Sequence, residues 1–342
     1  MHTSNLPPFF DGRPLPPLQD ILAGVHVVEI PMRVKFRGVT SRQSALIHGP
    51  AGWAEFAAFM EYGAEEASAW LAAAVEAAWL GYPEPRRTEV PVNATMPAVA
   101  AHEVPGVLAN YEGEIHEIKI KVAESGQGVD EDIARVAAVR AALPQARLKV
   151  DANMGWNHDQ AVDALVRMAE FDLVYAEQPV STAEGLARVR EELRRRGVGT
   201  LIAADESVRK AADPLRVAQL GAADVLVVKA APLGGVRRAR EVVRAAGLPA
   251  VVSSALETSV GIRAGVALAA SLDELPFGCG LDTVSLMAAD TAAPSLRSRD
   301  GVIQVRDVAA DEDLLGTWAA SPQVTAWWRR RIEECYRVLS DA

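Results

Sequence analysis

Five short apolar runs in the middle of the chain each end in a polar residue, and they recur at a near-constant interval. Lys121 closes Ile118-Lys-Ile-Lys121, and Asp151 follows Leu148-Lys-Val150. Glu177 follows Leu173-Val-Tyr-Ala176, Asp205 follows Leu201-Ile-Ala-Ala204, and Lys229 follows Val225-Leu-Val-Val228. The intervals are 30, 26, 28 and 24 residues, the length of one strand, one helix and two loops. A chain with this rhythm brings the five polar residues onto one rim of a parallel β/α barrel.

The surroundings fit that reading. Helical patterns run near 130–142, 158–170, 183–196, 213–220, 235–246 and 257–271, and candidate strands lie near 92, 117, 149, 174, 202, 226, 251 and 278. The strands are short, β-branched and apolar on both faces, as in a sheet covered by helices. Eight βα steps of one hand close most economically into a barrel. Residues 1–90 differ. Val25 to Val34 and Ser44 to His48 are strand-like, Ala64 to Leu80 is a helix pattern, and Gly81-Tyr-Pro-Glu-Pro85 stops it. The expected organisation is an α+β module over 1–90, a barrel over 91–299, and a helix-rich tail over 300–342 that packs back on the first module.

Charge narrows the function classes. A net charge of −10 and a pI near 5.2 argue against a nucleic-acid or anionic-membrane partner. The N-terminus has no basic segment followed by an apolar one, and two cysteines in 342 residues make no disulfide framework, so a cytoplasmic enzyme is expected.

Three carboxylates on three successive strand ends are mutually repulsive unless a cation neutralises them. Oxygen donors without His or Cys select a hard ion, Mg²⁺ before Mn²⁺ or Ca²⁺. The alternative is that one or two of them are helix caps or salt-bridge partners. Only six lysines occur among 35 cationic residues, and only Lys can give up its proton near neutrality. Lys119 and Lys121, two apart, share a strand face, and crowding two ammoniums with a metal nearby is expected to lower the pKa of each. Lys229 lies across the barrel from them. A metal between two lysines suits removal of a proton α to a carboxylate, although a lone strand lysine is more often a surface residue. Gly234-Gly235 opens a helix and is a weak candidate for cradling an anion. Ser253-Ser-Ala-Leu-Glu-Thr-Ser-Val-Gly261 offers hydroxyls and amides for a substrate carboxylate, or simple capping. The six histidines show no ligand spacing.

With these residues in view, the chain resembles the enolase superfamily in its muconate lactonizing enzyme subgroup. Within that subgroup it looks most like the o-succinylbenzoate synthases of the actinobacterial type. The resemblance rests on Phe36-Arg-Gly-Val-Thr-Ser-Arg42, Gly49-Pro-Ala-Gly-Trp-Ala-Glu-Phe56, Lys119-Ile-Lys121, Asp151-Ala-Asn153, Ala176-Glu-Gln-Pro179, Ala204-Asp-Glu-Ser207, Lys229, Ser253 to Gly261 and Gly280-Leu-Asp-Thr283. It implies an α+β capping domain over a modified TIM barrel, (β/α)₇β, with Mg²⁺ (or Mn²⁺) on Asp151, Glu177 and Asp205. It also implies a small carboxylate substrate, dehydrated to o-succinylbenzoate in menaquinone synthesis. Lys121 would move the proton, Lys229 would stabilise the enediolate and Lys119 would tune Lys121. Asn153, Ser253, Ser254, Arg42 and Gly280 would contact substrate, Asn153 and Glu206 would support the metal shell, and the loop from Arg37 to Arg42 would close over the site. Ala231 departs from a position that varies in the family and is sometimes polar. The same lysines also suit an N-succinylamino acid racemase or dipeptide epimerase, and a non-catalytic binding barrel is the remote alternative. Oligomeric state is left open.

Overall fold

A computed structural model describes residues 7–36, 39–210 and 212–341. After a short helix, α1 (Leu18–Ala23), the chain forms an antiparallel sheet of β1 (Val25–Phe36), β2 (Val39–Gly49) and β3 (Gly52–Phe56) in that order. Helix α2 (Ala64–Leu80) packs on β2 and β3. Its first turn carries Glu65 and Glu66, which complement the helix dipole, and it ends at Gly81 with φ 64°.

The repeating region follows: β4 (Glu89–Pro91), β5 (Ala94–Met96), α3 (Val104–Leu108), β6 (Glu117–Lys121), α4 (Val129–Ala142), β7 (Arg147–Asp151), α5 (His158–Arg167), β8 (Leu173–Glu177), α6 (Ala183–Arg195), β9 (Leu201–Ala204), α7 (Asp213–Gln219), β10 (Val225–Val228), α8 (Val236–Ala246), β11 (Ala250–Val252) and α9 (Ser259–Ser271). Strands β5 to β11 form one parallel sheet in sequence order. Where an eighth strand is predicted near 278, only Cys279 and Gly280 pair, with Val92 on one side and Ser253 on the other. The brevity has a steric side. A Cβ on Gly278 would lie 3.0 Å from the Val92 carbonyl carbon, and one on Gly280 would lie 2.9 Å from Ser253 Oγ. The closing strand approaches its neighbours too closely for side chains there. The architecture is a modified TIM barrel with an α+β capping domain.

Strand alternation sorts the barrel residues. Ile118, Ile120, Leu148, Val150, Ala176, Ile202, Leu226 and Val228 belong to the outer core under the helices. A separate inner cluster holds Tyr175, Ala203, Val225, Val227 and Val251. The chain finishes with β12 (Val302–Gln304), which pairs with β4, then α10 (Glu312–Thr317) and α11 (Pro322–Ser340). Helix α11 returns to α2, with Trp328 edge-on to Phe56 at 5.4 Å and Ile332 and Cys335 in the same apolar cluster. Among the described residues no helix is long and apolar enough to cross a membrane.

Candidate active site

The parallel register places Lys121 beside Asp151 and Asp151 beside Glu177 on β6, β7 and β8. Asp205 follows β9 and Lys229 follows β10. All three carboxylates are buried, Asp151 and Glu177 completely. Lys119 Nζ lies 3.0 Å from both Glu177 oxygens and 3.5 Å from Asp151 Oδ2. Lys121 Nζ donates to Asp151 Oδ2 at 2.5 Å and to Asn153 Oδ1 at 2.7 Å, and Lys229 donates to Asp205 Oδ1. The five polar strand ends thus form one cluster.

Its electrostatics are those of too many carboxylates in one place. Burial, and then the charge of Asp151, push the Glu177 carboxyl up to about 7; Asp205 adds to this, while Lys119 and Lys121 oppose it. Burial alone would lower Lys119, but Glu177, Asp151 and Asp205 outweigh it and hold the ammonium above its ordinary range. The three carboxylates outnumber its cationic neighbours Lys121 and Lys149, and the lowering expected from two crowded ammoniums calls for a metal among those carboxylates. Among the described residues no three His, Cys, Asp or Glu side chains stand in ion-ligating geometry; the lysine ammoniums lie against the carboxylates instead. The donor set nevertheless fits a hard divalent cation. It is all oxygen, it is buried, and the repulsion that raises Glu177 is the kind that such an ion relieves.

Neighbouring side chains hold this cluster in place. Gln178, buried, accepts from the backbone N–H of Asp205 at 3.0 Å and of Ser207 at 3.1 Å, so β8 aims the carboxylate of β9. Asn153 donates from Nδ2 to Glu206 Oε1 at 3.2 Å while its Oδ1 holds Lys121. It sits with φ 43°, in a left-handed conformation that Asn tolerates. In the sequence Gln178 is one residue of the segment Ala176-Glu-Gln-Pro179. Its isolation after Glu177 gives no periodic signal, and only the fold reveals its two amide partners.

A cavity of about 900 Å³ opens over the cluster between barrel and cap. Lys119, Lys121, Lys229 and Asp205 lie on its inner side, and Phe59, Tyr62 and Trp70 contribute an aromatic wall from the cap. Ser253, Ser254 and Gly280 line it as well. Ser254 Oγ is bound to the Gly280 carbonyl at 2.9 Å and to Thr283 Oγ1 at 2.7 Å, which fixes the wall. Arg42, expected at the substrate, is not on that wall. Its buried guanidinium donates to the backbone carbonyls of Leu256, Ala255 and Ala57, so it ties the 255–256 segment to the cap from behind. Leu256 is held there at φ 62°. Of the loop expected to close over the site, Arg37 and Gly38 lie outside the described residues, and Val39 lines the cavity. The Gly234-Gly235 pair meets groups of the protein itself. A Cβ on Gly234 would strike the Phe9 ring at 2.4 Å, and one on Gly235 would strike the Glu76 carboxylate at 2.7 Å. Glu76 accepts from the backbone N–H of Arg237 at 3.2 Å, so the anion at this helix start is the protein's own.

A barrel with lysines and carboxylates on its strand ends, under an α+β cap, defines a class, and comparisons with known proteins agree with it. Residues 102–309 match the family model for enolase C-terminal domain-like proteins, and residues 27–78 match the one for enolase N-terminal domain-like proteins. Among solved structures, a muconate lactonizing enzyme from Pseudomonas fluorescens in complex with muconolactone aligns with a TM-score of 0.72 at 21% identity, over 86% of this chain and 98% of its own. The muconate lactonizing enzyme of Pseudomonas putida aligns with a TM-score of 0.70 at 20% identity, over 86% and 98%. These two share the fold. Much nearer in sequence are o-succinylbenzoate synthases: that of Mycolicibacterium smegmatis is 48% identical over 95% of this chain and 99% of its own length. The protein of that name from Mycobacterium tuberculosis is 48% identical over 95% and 97%. The chain belongs to the o-succinylbenzoate synthase family of the enolase superfamily.

Proposed function

We propose that the protein is a hydro-lyase that removes water from 2-succinyl-6-hydroxy-2,4-cyclohexadiene-1-carboxylate to give o-succinylbenzoate, a step of menaquinone synthesis. One observation carries this reading: Lys121, Lys229 and Asp205 line one cavity, and each lysine is paired with a carboxylate of the buried cluster. The named relatives supply the product, o-succinylbenzoate, and the family resemblance supplies the substrate. In this reading residues 1–90 with 300–342 form the cap and 91–299 the catalytic barrel. Two unpaired thiols, Cys279 and Cys335, both buried, suit a reducing, cytoplasmic setting.

Asp151, Glu177 and Asp205 would hold Mg²⁺, with Mn²⁺ as a substitute; when bound, the ion supplies fixed positive charge to the substrate carboxylate as electron density moves onto it. Lys121 Nζ takes the α-proton, breaking the C–H bond and leaving an enediolate. The Lys229 ammonium stabilises that negative charge. Lys121 then returns the proton to the departing hydroxyl on the same face, the C–O bond breaks, water leaves and the ring becomes aromatic. Lys119, held against Glu177, keeps positive charge beside Lys121 and so tunes it. Asn153 orients Lys121, and Gln178 orients Asp205.

The test is direct. Purified protein with Mg²⁺ should convert the cyclohexadiene to o-succinylbenzoate, and chelation should stop it. Failure of folded, metal-loaded protein to do so would remove this reading. Because both lysines line the same cavity, a 1,1-proton transfer on an N-succinylamino acid is the second reading. Exchange of the α-proton of N-succinylphenylalanine into deuterium at a rate rivalling dehydration would favour it.

A further inference from the structure

The dehydratase reading, on which this inference rests, requires the cavity to receive two carboxylates. One sits on the ring near Lys121 and Lys229, and the other ends the succinyl tail. Three cationic residues line the cavity apart from the barrel lysines: Arg209, Lys210 and Arg238. Arg209 is already paired with Glu206 at 3.2 Å. Lys210 is exposed, and water satisfies its charge.

Arg238 is different. It is half-buried on α8, and its Nε donates to the Pro7 carbonyl at 2.7 Å. Its guanidinium lies on the Phe9 ring at 3.8 Å, and Nη1 reaches the Leu233 carbonyl only at 3.4 Å. Among the described residues no carboxylate stands within ion-pair distance of it, not even Glu61, Glu65 or Glu66 of the same cavity. The side chains outside the described set include no Asp or Glu. Burial accordingly holds Arg238 below its ordinary range with no opposing charge. A half-desolvated guanidinium without a counter-ion, facing a ligand cavity, marks a place for an anion. Its plane is set in advance. The Phe9 ring stacks on it, Phe9 is seated over Gly234, and the Pro7 carbonyl fixes one edge.

We propose that Arg238 binds the distal carboxylate of the substrate, with the Pro7–Phe9 segment holding its guanidinium in position.

The Mg²⁺-loaded enzyme tests this with two probes, o-succinylbenzoate and 2-butanoylbenzoate, in which a methyl group replaces the distal carboxylate. Wild type should bind the dicarboxylate more tightly. Arg238→Gln should weaken o-succinylbenzoate binding and raise KM by at least about tenfold, leaving kcat and 2-butanoylbenzoate binding close to wild type. Arg238→Lys should recover part of the loss, and Phe9→Ala, which keeps the charge, should lose part of the preference. A folded Arg238→Gln that retains the full preference for the dicarboxylate overturns the assignment, and an unchanged preference in Phe9→Ala overturns the role of the arm. If wild type itself leaves the cyclohexadiene unconverted, the dehydratase reading fails and this proposal with it.

Discussion

Two lysines face each other across neighbouring strands of the barrel, and burial set against the charges around them shifts the two in opposite directions. Lys119 on β6 and Lys149 on β7 are register partners. Lys119 belongs to the upper layer, with Glu177, Asp151 and the open cavity. Lys149 belongs to the lower layer, completely buried, 2.5 Å from Glu117, 2.8 Å from the Gly278 carbonyl and 5.2 Å from the Tyr175 ring centroid. Arg147 also pairs with Glu117, at 2.7 Å. Burial lowers both amines. Three carboxylates overcome it at Lys119, whereas at Lys149 the single carboxylate Glu117 does not, and Lys119 itself adds repulsion. The lower layer has more cation than anion and its lysine is sealed; the upper layer is rich in carboxylate and open. Burying a charge is common to both, so burial alone does not mark chemistry. The ratio of charges and the access of a ligand do.

Removing the amine from the upper layer should have the largest effect. Lys121→Ala should lower the rate of o-succinylbenzoate formation by about 10²–10⁴-fold or more, with little change in melting temperature. A variant that stays fully active would erase the functional side of the contrast. In the lower layer, Lys149→Met leaves Glu117 short of its nearest cation and should cost about 3–5 kcal/mol in urea denaturation. The added change Glu117→Gln should return much of that, and the kcat of the folded variant should stay near wild type. A third experiment separates the layers by ligand. Mg²⁺ at about 100-fold its Kd should add about 2.7 kcal/mol of stability to wild type and Lys149→Met alike. It should add none to a protein carrying Asp151→Asn with Glu177→Gln, and a Mg²⁺ response surviving in that protein would place the ion elsewhere.

The smallest effect concerns alkaline pH. Lys149, lowered in the folded state, binds fewer protons there than in the unfolded chain. The stability linked to it is therefore present above the unfolded value of about 10.4 and is lost as pH falls through the folded value. The stability gap between wild type and Lys149→Met should widen as pH rises toward that value. Lys119 has the opposite sign: its contribution is fully present below the unfolded value and is lost only above it. The gap for Lys119→Met should stay flat over the same range, and parallel slopes for the two variants would contradict the contrast.

Much of the upper layer was legible because strand ends repeat, and a repeat of about 27 residues is a long-range signal in one sequence. Lys121, Asp151, Glu177, Asp205 and Lys229 all carry it. The lower layer was legible in principle through alternation: Lys149 lies two residues before Asp151 and must face the same interior, as Glu117 does relative to Lys119. Neither stood out, because a charge inside an apolar run reads as an edge residue until the barrel closes. Arg42 shows a different limit. A cationic residue near a site loop has two sides to stand on, and only the packing of the cap on the barrel put its guanidinium behind the 255–256 segment. Arg238 and Phe9 meet from positions more than 200 residues apart, with no shared period to connect them.

Glu76 and Gly235 have a consequence for inheritance. The carboxylate occupies the volume that any side chain at position 235 would need, and that glycine adopts φ 120°, where other residues are strained. Neither position can drift alone. Adding a side chain at 235 first requires a shorter residue at 76, and shortening 76 leaves the backbone amide of Arg237 without its acceptor. Descendants of this chain should therefore carry the two as a pair or change both, which makes the seam between cap and barrel slow to change even though neither residue lines the cavity.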